Sequence, residues 1–564
     1  MHLPDLPHRV HPDSDVGGVL FRGGPILTVD PARPRPEAVA TRGGRIVAVG
    51  EEAYCRRVLD LDSDSDSVGS ADGSDRVTVV ELGGRALLPG FVDAQVHPLA
   101  MCFFADRLDL SNARSIADVL DALADQAKIT PPGEWVLGLQ LTADRLAEDR
   151  LPTMLELDSI SAGRAVVVLC RDGHTSLGNT VALAAAGVRG NRADPPGGAF
   201  DRDERGRLTG VCRETATRIL LSGVPEPDLD DYRSKMDMVF AQLAGDGITS
   251  VGFVLQTDDE GPAGRAAALE SLGMMLFVED LALGSHSILC GEPHRAIDAR
   301  ASSSLHDPPR NRIVGGVKLF LDGTLGARTA ALHHPYSDSP ADKGWLTVDP
   351  KVALARMETA HLAGLQVDIS AIGDAANTLA LDLVADLQAR HPVSHDGTRP
   401  RHRIGHVSVL DETAAERFVE LGVTAVVQPL YLRAESDWLH KRLGPERAQR
   451  TYPFRTLADA GVVLAGSSTA PLEDTDVLAG IAACVTRHGF EPAQALTAEE
   501  AVTMYTHGGA TAQGREHLTG RIKEDLQADL VVLSDDPTAV PTDAITDIEV
   551  ELTIVRGHVV HRKP

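Results

Sequence analysis

Eight short apolar runs recur along this chain, at residues 91–97, 248–255, 274–280, 313–320, 365–372, 403–408, 423–428 and 462–468, and most leave room for a helix before the next. Runs of this length, bounded by polar and turn-forming residues, read as strands buried on both faces. The stretches 352–363 and 413–421 between consecutive runs read as helices. Strands alternating with helices imply a parallel sheet, and eight of them are enough to close a barrel. An open doubly wound sheet would carry a Gly-rich phosphate turn after an early strand, and the sequence has none. The predicted fold class is α/β, a (β/α)8 TIM-like barrel.

In such a barrel the chemistry gathers at the C-terminal ends of the strands. The first run, Leu87-Leu88-Pro89-Gly90-Phe91-Val92-Asp93-Ala94-Gln95-Val96-His97-Pro98, starts at a Pro-Gly turn and ends in polar side chains. Strand alternation puts Asp93, Gln95 and His97 on one face and Val92, Ala94 and Val96 on the other. The polar face reads as looking into a site. Lys318 lies inside an apolar strand followed by Asp322-Gly323, which argues against a solvated surface charge. Asp368 precedes Ser370 by two residues and shares its side of a strand, so a carboxylate is expected on the barrel-interior face. A buried carboxylate requires a partner. An uncarboxylated Lys318 ammonium would serve, with an arginine or an outward-facing Asp368 as the alternatives.

The first run resembles the Pro-Gly-Phe-(Val/Ile)-Asp-x-His-x-His segment of the amidohydrolase superfamily, whose two histidines bind a catalytic metal on the first strand of a (β/α)8 barrel. The first histidine is Gln95 here and the second is His97. Gly316-Val317-Lys318-Leu319-Phe320-Leu321-Asp322-Gly323-Thr324 is similar to the family's fourth-strand segment, whose lysine can be carboxylated to bridge two metals. The family's fifth-strand His-Ala-Ile-Gly-Asp corresponds to Ser370-Ala371-Ile372-Gly373-Asp374, and its Arg-Ile-Glu-His to Arg403-Ile404-Gly405-His406. Its Gly-Ser-Asp-Ala-Pro corresponds to Ser467-Ser468-Thr469-Ala470-Pro471, aligned on the proline. The resemblance thus implies a site in which Gln95, Ser370 and Thr469 replace ligands while His97, Lys318 and His406 remain. Threonine cannot act as the base that the aspartate provides.

Residues 105–230 interrupt the strand-helix rhythm. They contain Asp172-Gly173-His174 and Thr209-Gly210-Val211-Cys212-Arg213-Glu214, similar to the insertion of the branch that includes N-substituted formamide deformylase. The resemblance implies that His174 and Glu214 lie near the substrate, together with Gln95, Ser370, Asp374 and Thr469. Strand-like segments near both chain ends resemble the amidohydrolase pattern in which the two ends combine into one small β-sandwich beside the barrel, although periodicity alone permits a separate domain at each end. The expected organisation is a leader over 1–17, sandwich over 18–86, barrel over 87–519 with its insertion at 105–230, and sandwich again over 520–564.

Three functional readings follow. The first is an enzyme with a degenerate metal site and no metal cofactor, in which Lys318, His97, His406 and Asp368 carry acid-base chemistry on a small organic substrate. The second is a hydrolase of amide or other C–N bonds holding one divalent ion such as zinc through His97, His406 and carboxylated Lys318. The third is an inactive barrel that binds a ligand or partner protein. A formal charge of -27 disfavours attraction to nucleic acid or anionic membrane. The N-terminus lacks the basic-then-apolar pattern of a secretory signal, and the six cysteines are scattered, so a cytoplasmic protein with reduced thiols is expected. A two-fold homodimer is the default assembly.

Residues 60–76 are acidic and rich in Ser and Gly, a composition that buries too little apolar surface to order itself and that lacks the spaced Glu of a calcium loop. Deleting residues 60–75 is expected to leave the melting temperature nearly unchanged. A large fall in a thermal melt would show that the segment packs or binds an ion.

Overall fold

The computed structural model describes residues 17–61, 77–105, 107–225, 229–256, 283–290, 292–301 and 312–564. Eight parallel strands neighbour one another in chain order: β1 (Phe91–Val96), β2 (Ile248–Gln256), β3 (Gly284–Cys290), β4 (Arg312–Phe320), β5 (Gln366–Ala371), β6 (Arg403–His406), β7 (Thr424–Val427) and β8 (Leu464–Gly466). The chain just past β8 closes the sheet against β1, with Thr469 N donating to Gln95 O at 2.8 Å and His97 N donating to Ala470 O at 3.0 Å. The barrel expected from the apolar runs is present.

One strand falls elsewhere than expected. The run at 274–280 lies outside the described residues, and the third strand is Gly284–Cys290. All seven of its residues are buried, yet Ser285, His286 and Ser287 interrupt its apolar pattern. Three consecutive polar residues spanning both faces leave no hydrophobic signature to read.

Between strands, helices Pro350–Leu362 and Asp374–Arg390 pack against the barrel's outside. The Asp349 side chain caps the first by accepting from Lys351 N at 2.8 Å, and Pro350 occupies its first turn, where no amide is needed. Helix Ala414–Leu421 stops at Gly422, whose φ of 63° suits glycine.

Register matters most for the site. Lys318 on β4 is the direct partner of Asp368 on β5, and Asp368 is the direct partner of Arg403 on β6. Level neighbours on parallel strands point their side chains to the same face. Three charged residues scattered in sequence therefore form one row inside the barrel.

Two four-stranded sheets flank the barrel. One holds Val19–Arg22, Ala38–Arg42, Arg45–Gly50 and Thr78–Glu81; the other holds Ala86–Pro89, Leu530–Leu533, Val550–Val555 and His558–Arg562. Phe21, Val39, Ile46, Leu87, Val532 and Ile554 belong to one shared apolar cluster, so both chain ends build a single sandwich. Ala86–Pro89 leads through Gly90 directly into β1. A Cβ at Gly90 would lie 2.2 Å from Thr249 Cγ2, so a larger residue does not fit there.

The insertion forms a six-stranded sheet that includes Val136–Leu141, Val166–Cys170, Thr175–Gly178 and Leu208–Glu214. Thr175 pairs with Arg213 in antiparallel register, which brings the adjoining His174 and Glu214 face to face. Residues 1–16 and 62–76 lie outside the described residues, and among the described residues no helix is long and apolar enough to cross a membrane.

β1 and β2 approach so closely that a Cβ at Gly252 would stand 2.1 Å from the Ala94 carbonyl oxygen. Gly252→Ala is expected to cost about 1–3 kcal/mol by forcing these strands apart. Chemical denaturation checks this, and an unchanged midpoint would show that the strands can spread freely.

Candidate active site

A cavity of about 460 Å³ opens between the C-terminal ends of the barrel strands and the inserted sheet. Of the residues singled out in the sequence, Gln95, His97, His174, His406 and Thr469 line it. Lys318 and Asp368 do not: both side chains are fully buried, one layer beneath the floor. This corrects the expectation that they sit in the pocket. Gln95 covers them, because its amide reaches across the barrel from β1 toward β4.

The buried layer is a charge network. Lys318 Nζ donates to Gln95 Oε1 at 2.7 Å and to Asp368 Oδ1 at 3.2 Å. Asp368 Oδ2 accepts from Arg403 Nε at 2.9 Å and Nη2 at 2.6 Å. Asp368 thus pairs with both the lysine and an arginine, and the arginine holds it at two points. Burial alone would raise its carboxyl, but Arg403 and Lys318 together hold it below the usual carboxylate range. Burial lowers the Lys318 ammonium, with Asp368 opposing the shift. Gly405, where the family pattern has an acidic residue, makes room for this layer. A Cβ there would lie 3.1 Å from Lys318 Nζ and 3.2 Å from Gln95 Oε1.

The remaining sequence candidates support the walls. Ser370 is buried beside Gly405 in the β5–β6 register and does not line the cavity. Asp374 starts the helix after β5, where its Oδ1 accepts from His333 N at 2.9 Å. Glu214 stands behind His174, its Oε2 at 2.6 Å from His174 Nδ1, while its Oε1 accepts from Thr329 Oγ1 at 2.6 Å. A Cβ on Gly323 would strike both Glu214 Oε1 and Thr329 Oγ1, so the Asp-Gly after β4 has a steric purpose.

The histidines divide by environment. Burial and the Lys318 charge push His97 down to about 3 and His406 well below its usual value, so both are neutral at pH 7. Burial acts on His174 in the same direction, but the Glu214 carboxylate outweighs it and raises the imidazole. Groups whose surroundings push them apart are suited to opposite acid and base roles.

Backbone strain collects around the same cavity. Glu214, Arg328, His406, Val407, Tyr452 and Thr469 all have positive φ without being glycine. Such conformations cost about 1–3 kcal/mol each and concentrate at functional sites.

Several wall residues carried no signal in the sequence. Tyr431, Glu435 and Trp438 recur at helical spacing on Tyr431–Ala448 and line the cavity together. Tyr431 stacks on His406 with ring centroids 6.1 Å apart. Glu435 accepts a 2.5 Å hydrogen bond from Tyr452 Oη, and burial raises its carboxyl to about 7. The spacing marks one helix face, but only the tertiary structure shows that this face turns to the site.

A family model described as the amidohydrolase family matches residues 78–561. The chain belongs to this family. It is 28% identical over 557 residues to YtcJ of Bacillus subtilis (strain 168), covering 96% of this chain and 99% of that protein. N-substituted formamide deformylase of Arthrobacter pascens is 26% identical over 546 residues, with 94% of this chain and 96% of the relative covered. These relatives place the amidohydrolase in the branch that the insertion motifs suggested. A crystal structure of an uncharacterised metal-dependent hydrolase from Pyrococcus furiosus superposes with a TM-score of 0.68 at 26% identity, covering 92% of this chain and 100% of that one.

Among the described residues of this amidohydrolase, no group of three or more His, Cys, Asp or Glu side chains is arranged to hold a metal ion. The cavity floor offers two imidazoles, from His97 and His406, above a lysine that is already hydrogen-bonded.

The network ranks its members by what each loss leaves behind. Asp368→Ala leaves Arg403 and Lys318 buried without their shared carboxylate and is expected to cost about 3–5 kcal/mol. Lys318→Met leaves the Asp368–Arg403 pair intact and should cost clearly less. Denaturant unfolding of the two variants tests the order, and a larger loss for Lys318→Met would show that Arg403 is not the principal partner.

Proposed function

We propose that this amidohydrolase-family enzyme performs acid-base chemistry on a small organic substrate without a catalytic metal. The observation that carries the reading is the Lys318 contact with Gln95 Oε1 and Asp368. A divalent ion normally takes at least three protein ligands. With His97 and His406 as two, the third would be a carboxylated Lys318. A carbamate there would set negative charge against Asp368 and the acceptor oxygen of Gln95, and would remove the donor both now share. The residues present do not fit the ion.

The cavity supplies proton-transfer groups in its place. His174, whose Nδ1 is engaged by Glu214, keeps Nε2 for the cavity and is the group suited to donate a proton. His97 and His406 offer neutral ring nitrogens from the floor, and the Gln95 amide and Thr469 hydroxyl offer hydrogen bonds to orient the substrate. Positioned proton transfer is worth about 10²- to 10⁴-fold in rate, enough for hydrolysis of a labile bond, isomerisation, cyclisation or elimination. The competing reading is a hydrolase of C–N bonds using one divalent ion, favoured by the likeness to the Pyrococcus furiosus structure.

Elemental analysis of protein purified without chelator separates the two. Well under one equivalent of zinc, iron, manganese or nickel is expected, and turnover found in a substrate screen should survive dialysis against chelator. A stoichiometric metal whose removal abolishes activity would overturn the proposal. Gln95→His, Ser370→His and Thr469→Asp combined should raise zinc affinity in equilibrium dialysis.

A further inference from the structure

The charges on the cavity wall are not balanced. Among the described residues its arginines, Arg150, Arg171, Arg213 and Arg328, are each ion-paired with a carboxylate. Glu435 differs from the paired carboxylates: its partner is the neutral hydroxyl of Tyr452. That hydroxyl is itself firmly placed. Tyr452 N donates to Ser408 O at 2.7 Å, and the fully buried Arg487 donates through Nη1 to Tyr452 O at 3.0 Å. The nearby Arg442 is neutralised by Asp144 and Asp338.

A carboxylate held by a neutral donor carries no ion pair, so once it is ionised, which burial delays to about 7, its charge is open to a ligand and one oxygen remains for it. Tyr431 and Trp438, four positions before and three after Glu435 on the same helix, supply apolar walls around it. We infer that the cavity takes a ligand bearing a cationic nitrogen, a protonated amine or amidine, with Glu435 as the carboxylate that anchors it. The inference rests on the acid-base reading of the same cavity and names its substrate class. It also fits the depth of the site. The cationic end docks at the helix wall, leaving the rest of the molecule to reach the histidines on the floor.

Isothermal titration calorimetry at fixed ionic strength and about pH 8.5, where Glu435 is ionised and both cations stay protonated, with benzylamine, benzamidine, benzyl alcohol and benzoate tests the assignment. The amine and amidine should bind at least about tenfold more tightly than benzyl alcohol, with benzoate weakest. Glu435→Gln keeps the volume and an acceptor for Tyr452, so it should leave the melting temperature unchanged while removing the preference for the cations. Tyr452→Phe retains the Glu435 charge and should retain the preference, which guards against a Glu435 variant that fails to fold. Tighter binding of benzoate, no measurable binding of either cation, or an undiminished preference in Glu435→Gln would overturn the inference. Calorimetry reads binding without turnover. An inert protein that prefers amines loses only the acid-base reading, and an active one that prefers benzoate loses only this one.

Discussion

Asp368 sits between two cations in a closed barrel, and the arrangement of the site depends on how that charge is satisfied. A buried carboxylate carries a desolvation cost of several kcal/mol, which one imperfect partner does not offset. Here Arg403 meets one oxygen with two donors and Lys318 meets the other. The bidentate arginine fixes the carboxylate, the carboxylate fixes the lysine, and the lysine draws Gln95 Oε1 toward it. The Gln95 amide nitrogen is consequently turned toward Thr469, 3.4 Å from its hydroxyl, at the floor of the cavity. A row of charges beneath the floor decides which atoms the floor presents.

The walls come from different parts of the chain and are set by different forces. Antiparallel pairing in the inserted sheet opposes His174 and Glu214, and the Asp-Gly turn after β4 brings Thr329 behind them. The helix after β7 contributes Glu435 and two aromatic rings. Strained backbone at Glu214, His406, Tyr452 and Thr469 shows that the fold holds these residues in conformations they would not adopt alone. The resulting cavity sets an imidazole raised by Glu214 on the wall against imidazoles on the floor that burial, and Lys318 beneath them, push down.

Much of the fold was legible from sequence, for a simple reason. Strands buried on both faces must be apolar, so seven of the eight announced themselves. β3 did not, because its Ser285-His286-Ser287 core erased the pattern. Lys318 stood out as a charge in an apolar run, and Asp368 as a carboxylate in step with Ser370. That both would lie beneath the cavity was not legible. Depth along a barrel axis depends on strand stagger, and stagger is not written in any single strand.

The sequence by itself determined the barrel and the identities of the polar residues at the strand ends, since periodicity and residue type are local properties; that both chain ends share one sandwich was decided by their packing. The sequence offered Lys318 or an arginine as the partner of Asp368, and tertiary structure decided that both meet it and that the arginine is Arg403. Lys318, Asp368 and Arg403 become a row only through the register of β4, β5 and β6. Glu435 becomes a site residue only because its helix turns that face inward. Contacts between residues distant in the chain are fixed by how strands and helices pack, and packing is a property of the whole fold.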